Sequence, residues 1–281
     1  MRYKFMTSLV FVSWAATASA ITPTQQLFGR SFEPFASEVQ QEVVDAEANA
    51  KPASNWTFAL GASANYLPRY LGSDRYRVLP FPIVNVVYKQ RFFLTTNEGL
   101  GVNLYHHGQN KVGIALGYDL GRRERADKKN LRGLGDISPY GTADIFGQYA
   151  WHQVVAFAKA KTSLQTRRGL TIEANIGYQH RFTPKLKLFV GPSATWASEN
   201  YMNSYFSVNQ KQSTQSGLAR YSAHAGLLGI GPGFNLVYQP TPSWMLTVYG
   251  GGDYLLKQAG DSPIARRRWQ QSGGVGVTYL F

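Results

Sequence analysis

The stretch "SGGVGVTYLF", residues 272–281, alternates strictly. Val275, Val277, Tyr279 and Phe281 fall on one side of an extended chain, and Gly274, Gly276, Thr278 and Leu280 on the other. Period two with one strongly apolar face is the mark of a strand. A loose terminal tail is polar and holds no such pattern. A strand that must pair along its whole length has a physical reason to keep it to the final residue.

The same period runs upstream. In "WTFALGASANY" (56–66), Trp56, Phe58, Leu60, Ala62, Ala64 and Tyr66 share a face; in "KVGIALGYDL" (111–120), Val112, Ile114, Leu116, Tyr118 and Leu120 do. Twelve stretches read as strands: 56–66, 78–88, 91–96, 99–105, 111–120, 139–150, 154–163, 170–181, 186–197, 221–238, 243–254 and 270–281. Helical spacing is almost absent past residue 55.

A soluble β-sandwich would also alternate. Two features favour a membrane barrel instead. Many of the stretches run to the ~9–11 residues that a strand needs to cross a bilayer. Aromatic residues gather at their ends (Trp56, Tyr66, Tyr118, Trp196, Trp244, Tyr279, Phe281), as interfacial girdles require. The connections have a parity as well. Apart from the tight 97–98 turn, the odd-numbered ones are the longer, as in barrels with long outer loops and short periplasmic turns. The expectation is an all-β protein: a transmembrane antiparallel β-barrel of about 12 strands (roughly 10–14) over 55–281, with periplasmic termini. Closure would pair 270–281 with 56–66. The pattern of glycine, two residues, aromatic, one residue, aromatic (Gly276, Tyr279, Phe281) resembles the signal by which barrel-assembly machinery recognises outer-membrane clients.

The N-terminus differs. "MRYKFMTSLVFVSWAATASA" has basic Arg2 and Lys4, an apolar stretch too short to span, and the small-x-small ending Ala18-Ser19-Ala20. It reads as a signal peptide over 1–20, hence export. Residues 21–54 are acidic around "SEVQQEVVDAEANA" and show no alternation. Ser37 and Gln40 suit a capping box for a short helix at 38–50. This segment reads as a periplasmic leader, as a partial plug of the lumen, or as a docking segment for a periplasmic partner.

The net charge of +13 would suit a nucleic-acid binder, but export argues against nucleic acid. The chain has no cysteine, so disulfides, thiol chemistry and cysteine-held metals are excluded. The histidines (His106, His107, His152, His180, His224) are spread over different strand ends, so neither a metal nor a cofactor is expected. Ser222 with His224 lacks an evident third partner for catalysis. Lumen-facing positions carry both signs of charge: Asp119, Asp144, Lys159, Lys161, Glu173, Asn175 and Arg181. They suit either a water-filled pore or a plugged one. The basic clusters Arg122, Arg123, Arg125 and Arg266, Arg267, Arg268 fall in long loops. There they would face outer-membrane lipid and the phosphates of lipopolysaccharide, which arginine grips bidentately. In "YLPRYLGSDRYRVLPFP" (66–82), Pro68, Gly72-Ser73-Asp74, Pro80 and Pro82 mark a stiff turn entering a strand, with proline near an edge, an end or a bulge; the plainer reading is a packed loop folded over the barrel mouth.

One family carries these stretches in order. Pro68, Tyr70, Gly72-Ser73, Tyr76-Arg77 and Pro80-x-Pro82 are followed by "GLGVNL" (99–104), "GYDLGRRE" (117–124) and "LRGLGDI" (131–137). Then come "GPSATWASENYMNSYFSV" (191–208), "SGLARYSAHAG" (216–226), "TPSW" (241–244) and "DSPI" (261–264). Over roughly 56–281 the chain resembles the MltA-interacting protein / OmpV family of Gram-negative outer-membrane proteins; the acidic 21–54 segment goes beyond that pattern. The resemblance implies a non-enzymatic scaffold that bridges a lytic transglycosylase and a bifunctional penicillin-binding protein in peptidoglycan growth. Other members look like adhesins or osmotically responsive envelope proteins, and a small-solute pore is the further alternative. The family carries no catalytic residues, so none transfer.

Overall fold

The computed structural model describes residues 55–165 and 168–281; the signal peptide expected at 1–20 and the acidic segment 21–54 lie outside the described residues. Twelve antiparallel strands form one closed barrel. In chain order they are β1 (Trp56–Pro68), β2 (Tyr76–Tyr88), β3 (Phe92–Thr95), β4 (Gly99–His107), β5 (Asn110–Asp119), β6 (Tyr140–Trp151), β7 (Val154–Ser163), β8 (Leu170–Thr183), β9 (Leu186–Ala197), β10 (Gly226–Thr241), β11 (Trp244–Leu255) and β12 (Trp269–Leu280). The seam is β12 on β1, in register from Ala59 opposite Leu280 to Tyr66 opposite Gly273. Beyond it the Phe281 amide donates to the Phe58 carbonyl at 3.0 Å. Closure leaves no free edge at the seam, so these backbone groups are satisfied without water.

Alternation sorts the two faces. Leu60, Leu116, Ile145, Ile176, Ile230, Val248 and Val275 point outward and are exposed, while Asn65, Asp144, Lys159, Glu173, Thr195 and Asn235 point inward and are buried. An apolar exterior around a polar interior inverts the soluble pattern and fits hydrocarbon surroundings. Aromatic rings bound this band. At the end with the short turns, Trp56 packs on Tyr88 (ring centroids 4.6 Å) and Trp244 on Tyr279 (5.0 Å). At the other end Tyr66 stacks on Tyr76 at 4.9 Å. None of the described helices is long and apolar enough to cross a membrane; the strands do the crossing.

The parity of connections is as the sequence suggests. Strands β2–β3, β4–β5, β6–β7, β8–β9 and β10–β11 are joined by two or three residues, whereas 120–139, 198–225 and 256–268 are long. Both Trp56 and Phe281 lie at the short-turn end, beside Tyr88 and Phe58 respectively.

Two positions in the wall depend on close approach. Gly274 faces inward, and a methyl group there would meet Tyr249 Oη at 2.6 Å and Asn65 Oδ1 at 2.7 Å; its absence lets Tyr249 reach over β12 to donate to Asn65. At Gly231 a Cβ would fall 1.6 Å from the Gly252 carbonyl oxygen.

Pro80 and Pro82 sit inside β2, opposite Ala64 and Ala62 of β1. On its other side β2 pairs with the four-residue β3 only from Asn85 to Tyr88. Val84 directs both its amide and its carbonyl to that side, toward Thr96. By period two, Pro80 and Pro82 turn their missing donors the same way. The short β3 thus leaves an edge where proline removes no ladder bond.

Two expectations need correction. Strand β10 begins at Gly226 rather than at 221; Tyr221 instead forms an isolated antiparallel bridge with Val208. The stretch 198–220 is not simple loop either. It folds into helices at Glu199–Phe206 and Gln210–Ser216, the second closed by a capping box between Asn209 and Gln212. These helices, with the 69–75, 120–139 and 256–268 connections, form a packed cap over the long-loop mouth. Its core holds Leu67, Leu71, Tyr140, Tyr201, Met202, Tyr205, Phe206, Leu228 and Leu255, with Tyr70, Leu131, Leu134, Val208 and Ile264 above.

Candidate functional site

The lumen is layered. Toward the short-turn end lies an apolar layer. Val87, Phe93, Phe146 and Phe157 form one cluster, with Phe93 edge-on to Phe146 at 5.8 Å. Val155 and Phe189 form another, with Tyr249 against it. Toward the cap, β6, β7 and β8 bring charges together. Asp144 lies opposite Lys161, and Lys159 opposite Glu173. Lys159 Nζ is 3.3 Å from Asp144 Oδ2, and both side chains are 1% exposed. Asn175 and Glu173 are also buried, while Lys161 is half-buried. A continuous water-filled channel past these groups would leave them accessible.

The remaining lumen candidates sit elsewhere. Arg181 is exposed at the short-turn rim, where it pairs in register with Lys187. Asp119 belongs to the base of the cap: its Oδ1 accepts from the Gly121 amide at 2.8 Å and from Tyr205 Oη at 3.3 Å.

Arg122 corrects the reading of the loop arginines as a surface set. It is buried, and its Nη1 donates to the Tyr205 carbonyl at 2.8 Å. Backbone bonds to Ile137 on both sides pin it in place. Burial pulls its guanidinium down from the ordinary arginine value, and Tyr205, Tyr70 and Asp136 partly offset that. The Tyr205 phenol is pushed well up, first by burial and then by Asp119, so it stays a neutral donor. A charge in this position orders two loops and cannot reach a lipid phosphate. Arg123 is half-buried, whereas Arg125, Arg266, Arg267 and Arg268 are exposed; Arg268 pairs with Asp261.

The cap is tied around its whole circumference. Tyr70 Oη donates to the Ile264 carbonyl at 3.0 Å, and the Arg266 and Arg267 amides donate to that of Gly72. Arg75 pairs with Asp127 at 3.1 Å. Gln212 Nε2 donates to the Leu134 carbonyl at 2.8 Å, and Ser262 Oγ to that of Phe206. Four loops therefore hold one another as a small domain.

Sequence reading missed a third member near Ser222 and His224. Glu199 Oε1 lies 3.5 Å from His224 Nδ1, brought there by the unforeseen 199–206 helix. Both side chains are more than half exposed. Hydrolytic triads work in sheltered sites with a preformed oxyanion hole, and this pair stands in open solvent. Among the described residues no cluster of three or more His, Cys, Asp or Glu could hold a metal. Of the expected assembly-signal residues, Tyr279 faces outward opposite Leu60, Gly276 faces inward opposite Ser63, and Phe281 stands exposed beside Tyr279 (4.9 Å between rings).

Comparison with known proteins now bears on this architecture. The MltA-interacting protein of Escherichia coli (strain K12) is 23% identical over 233 residues, 80% of this chain and 90% of the relative. The MltA-interacting protein of Shigella flexneri matches to the same extent. Among solved structures, a NanC porin aligns with TM-score 0.42 and 12% identity, covering 78% of this chain and 98% of that one. A KdgM porin aligns with TM-score 0.39 and 11% identity, covering 79% and 99%. A family model described as MltA-interacting protein MipA matches residues 60–281, from within β1 through the seam strand to Phe281, and the chain belongs to that family.

Proposed function

We propose that this protein is a non-enzymatic outer-membrane barrel that serves as a scaffold for peptidoglycan-remodelling enzymes. The observation that carries the reading is the closed lumen: a cap over one mouth, and an ion pair and polar side chains sealed inside the wall. Such a barrel conducts solute poorly but presents two stable surfaces. The cap would face outside, with Arg125, Arg266 and Arg267 available to lipopolysaccharide phosphates and the apolar band in lipid. The short-turn end would face the periplasm. The relatives' name supports a lytic transglycosylase as the partner there. A bifunctional penicillin-binding protein as second partner, and recognition of Gly276, Tyr279 and Phe281 by barrel-assembly machinery, complete the proposal.

Cross-linking in intact envelopes followed by pull-down tests it. A lytic transglycosylase should be recovered with the barrel, and altering the short turns should abolish recovery. A barrel that captures no murein hydrolase or synthase, or that shows steady conductance in planar bilayers, would overturn the scaffold reading.

A further inference from the structure

The lipid-facing side of the wall carries a groove. It crosses β8–β12, encloses about 780 Å³ and is almost wholly apolar, with Ile176, Ile230, Tyr254 and Trp269 in its lining. That volume lies within the ~300–1,000 Å³ of small-molecule sites. Register explains the depression. Ala174, Ala194, Ile230, Tyr254 and Trp269 stand opposite one another in turn, one row across five strands. In the next row toward the short turns, Pro192 faces Pro232. The two alanines and two prolines form a low patch between rows of long side chains: Ile172, Trp196 and Leu227 on one side, Tyr178, Val190 and Phe234 on the other.

Both prolines sit inside the wall rather than at an edge, each preceded by glycine (Gly191-Pro192, Gly231-Pro232). By the register on either side, Pro192 stands opposite Ile176 and Pro232 opposite Gly252. The Ser198 amide donates to the Leu170 carbonyl, and the Leu256 amide to that of Leu228. By period two, Pro192 therefore turns its missing donor to β8 and Pro232 to β11. The ladder bonds to the Ile176 and Gly252 carbonyls are absent. Those carbonyls crowd the glycines instead: a Cβ at Gly191 would lie 2.1 Å from the Ile176 oxygen, and one at Gly231 1.6 Å from the Gly252 oxygen. In hydrocarbon no water replaces a lost ladder bond. The wall gives up two such bonds at one level, and what it gains is a floor without protruding side chains.

The groove reaches the long-loop end of the wall at Trp269, the first residue of β12. Arg266 and Arg267 stand exposed just before it, within roughly 11 Å along the chain. Their backbone is fixed, since both amides donate to the Gly72 carbonyl. An apolar trough that ends beside two anchored guanidinium groups matches a ligand with an alkyl tail and an anionic head. Arginine grips phosphate bidentately.

We infer that this groove takes one acyl chain of a phosphorylated, multiply acylated glycolipid of the outer leaflet, with a phosphate on Arg266 and Arg267. The inference rests on the reading above, which turns the cap outward and offers these arginines to lipopolysaccharide. Water exclusion does not drive the docking, because the chain arrives from lipid. Close packing within the groove drives it, together with the fixed charge at its end.

Native mass spectrometry of the full chain in detergent, titrated with purified lipid A, tests it. One lipid A per barrel should be retained at detergent concentrations that strip phosphatidylglycerol. Ala174→Phe with Ala194→Phe fills the groove with side chains that point into lipid. Folding, read by heat-modifiable gel mobility, should persist while lipid A retention falls several-fold. Ala62→Phe, outward on β1 and away from the groove, should retain lipid A as the parent does. A second variant, Ile230→Ala with Tyr254→Ala, strips a wall instead of filling the trough and should weaken retention as well. Undiminished retention in both groove variants, with release only in Arg266→Gln, Arg267→Gln, would overturn the groove and leave surface contact by the arginines standing. Equal retention of phosphatidylglycerol would overturn the assignment to a glycolipid. No retention of lipid A by the parent would overturn the groove and the arginine reading together.

Discussion

Lys159 Nζ lies 3.3 Å from Asp144 Oδ2 across the β6–β7 ladder, and neither side chain reaches solvent. The pair sits in register with Glu173 on the next strand, so charge runs across three strands inside the wall. Removing Lys159 leaves the buried carboxylates Asp144 and Glu173 without the cation that lies between their strands. Breaking a buried pair by removing a partner typically destabilises by about 3–5 kcal/mol, whereas replacing both by apolar groups is often close to neutral. Lys159→Met should therefore lower the denaturation midpoint of the reconstituted barrel strongly. The triple variant Lys159→Met, Asp144→Leu, Glu173→Gln, which leaves no uncompensated charge in this set, should recover most of it. Tryptophan fluorescence during guanidinium titration in vesicles reads both.

Arg122 and Arg266 separate by burial, although sequence groups them. Arg122→Ala empties a buried position and frees the Tyr205 carbonyl. A bond from a charged donor contributes about 1.5–3 kcal/mol, and its loss should loosen the cap locally. Limited proteolysis should then cut within 120–139 and 198–225 where the parent resists. Arg266→Gln with Arg267→Gln should leave the cap intact, within about 0.5 kcal/mol, yet reduce retention on lipopolysaccharide-bearing vesicles.

The barrel was legible because one physical rule governs it throughout. Every strand has lipid on one face and lumen on the other, so period two runs through most of the wall, shifted only at bulges such as those at 103–105 and 227–229, and connection parity follows from an up-and-down path. The cap was not legible as a unit because its order comes from contacts between loops far apart in sequence. Arg122 looks like its solvated neighbours until Tyr205 arrives from eighty residues away. Local signals did exist. Asn209 and Gln212 have capping-box spacing, and Tyr201, Met202, Tyr205 and Phe206 follow a helical stripe. Both were masked by the expectation that a long outer loop is irregular. Glu199 beside His224 was invisible for the same reason.

Strand β10 offers a paired test of wall packing. At Gly231 an added methyl would strike the Gly252 carbonyl of the neighbouring strand, and backbone cannot rotate aside as a side chain can. Gly231→Ala should cost about 1–3 kcal/mol or more through overpacking and reduce the yield of folded, heat-modifiable barrel. Gly226, at the start of the same strand, has nothing within 4 Å of the equivalent position. Gly226→Ala should fold with parental yield. Equal behaviour of the two would mean that the wall yields where the structure has it rigid.

Phe281 closes the seam in two ways. Its amide makes the last ladder bond to Phe58, and its ring packs edge-on against Tyr279, which in turn packs against Trp244. At 71% exposure the ring adds little to the interior. Its deletion should therefore cost only about 1 kcal/mol in a barrel already folded, near the net worth of one hydrogen bond. Delivery is a different matter if Gly276, Tyr279 and Phe281 are read by assembly machinery before folding. Deleting Phe281 should then sharply reduce the membrane-inserted fraction in cells, while refolding of the same variant from urea into detergent stays nearly normal. Phe281→Trp should restore insertion, because it keeps an aromatic ring at the girdle. Parallel losses in cells and in detergent would assign the residue to barrel stability alone, and the contrast between the two assays is the measurement that separates recognition from packing.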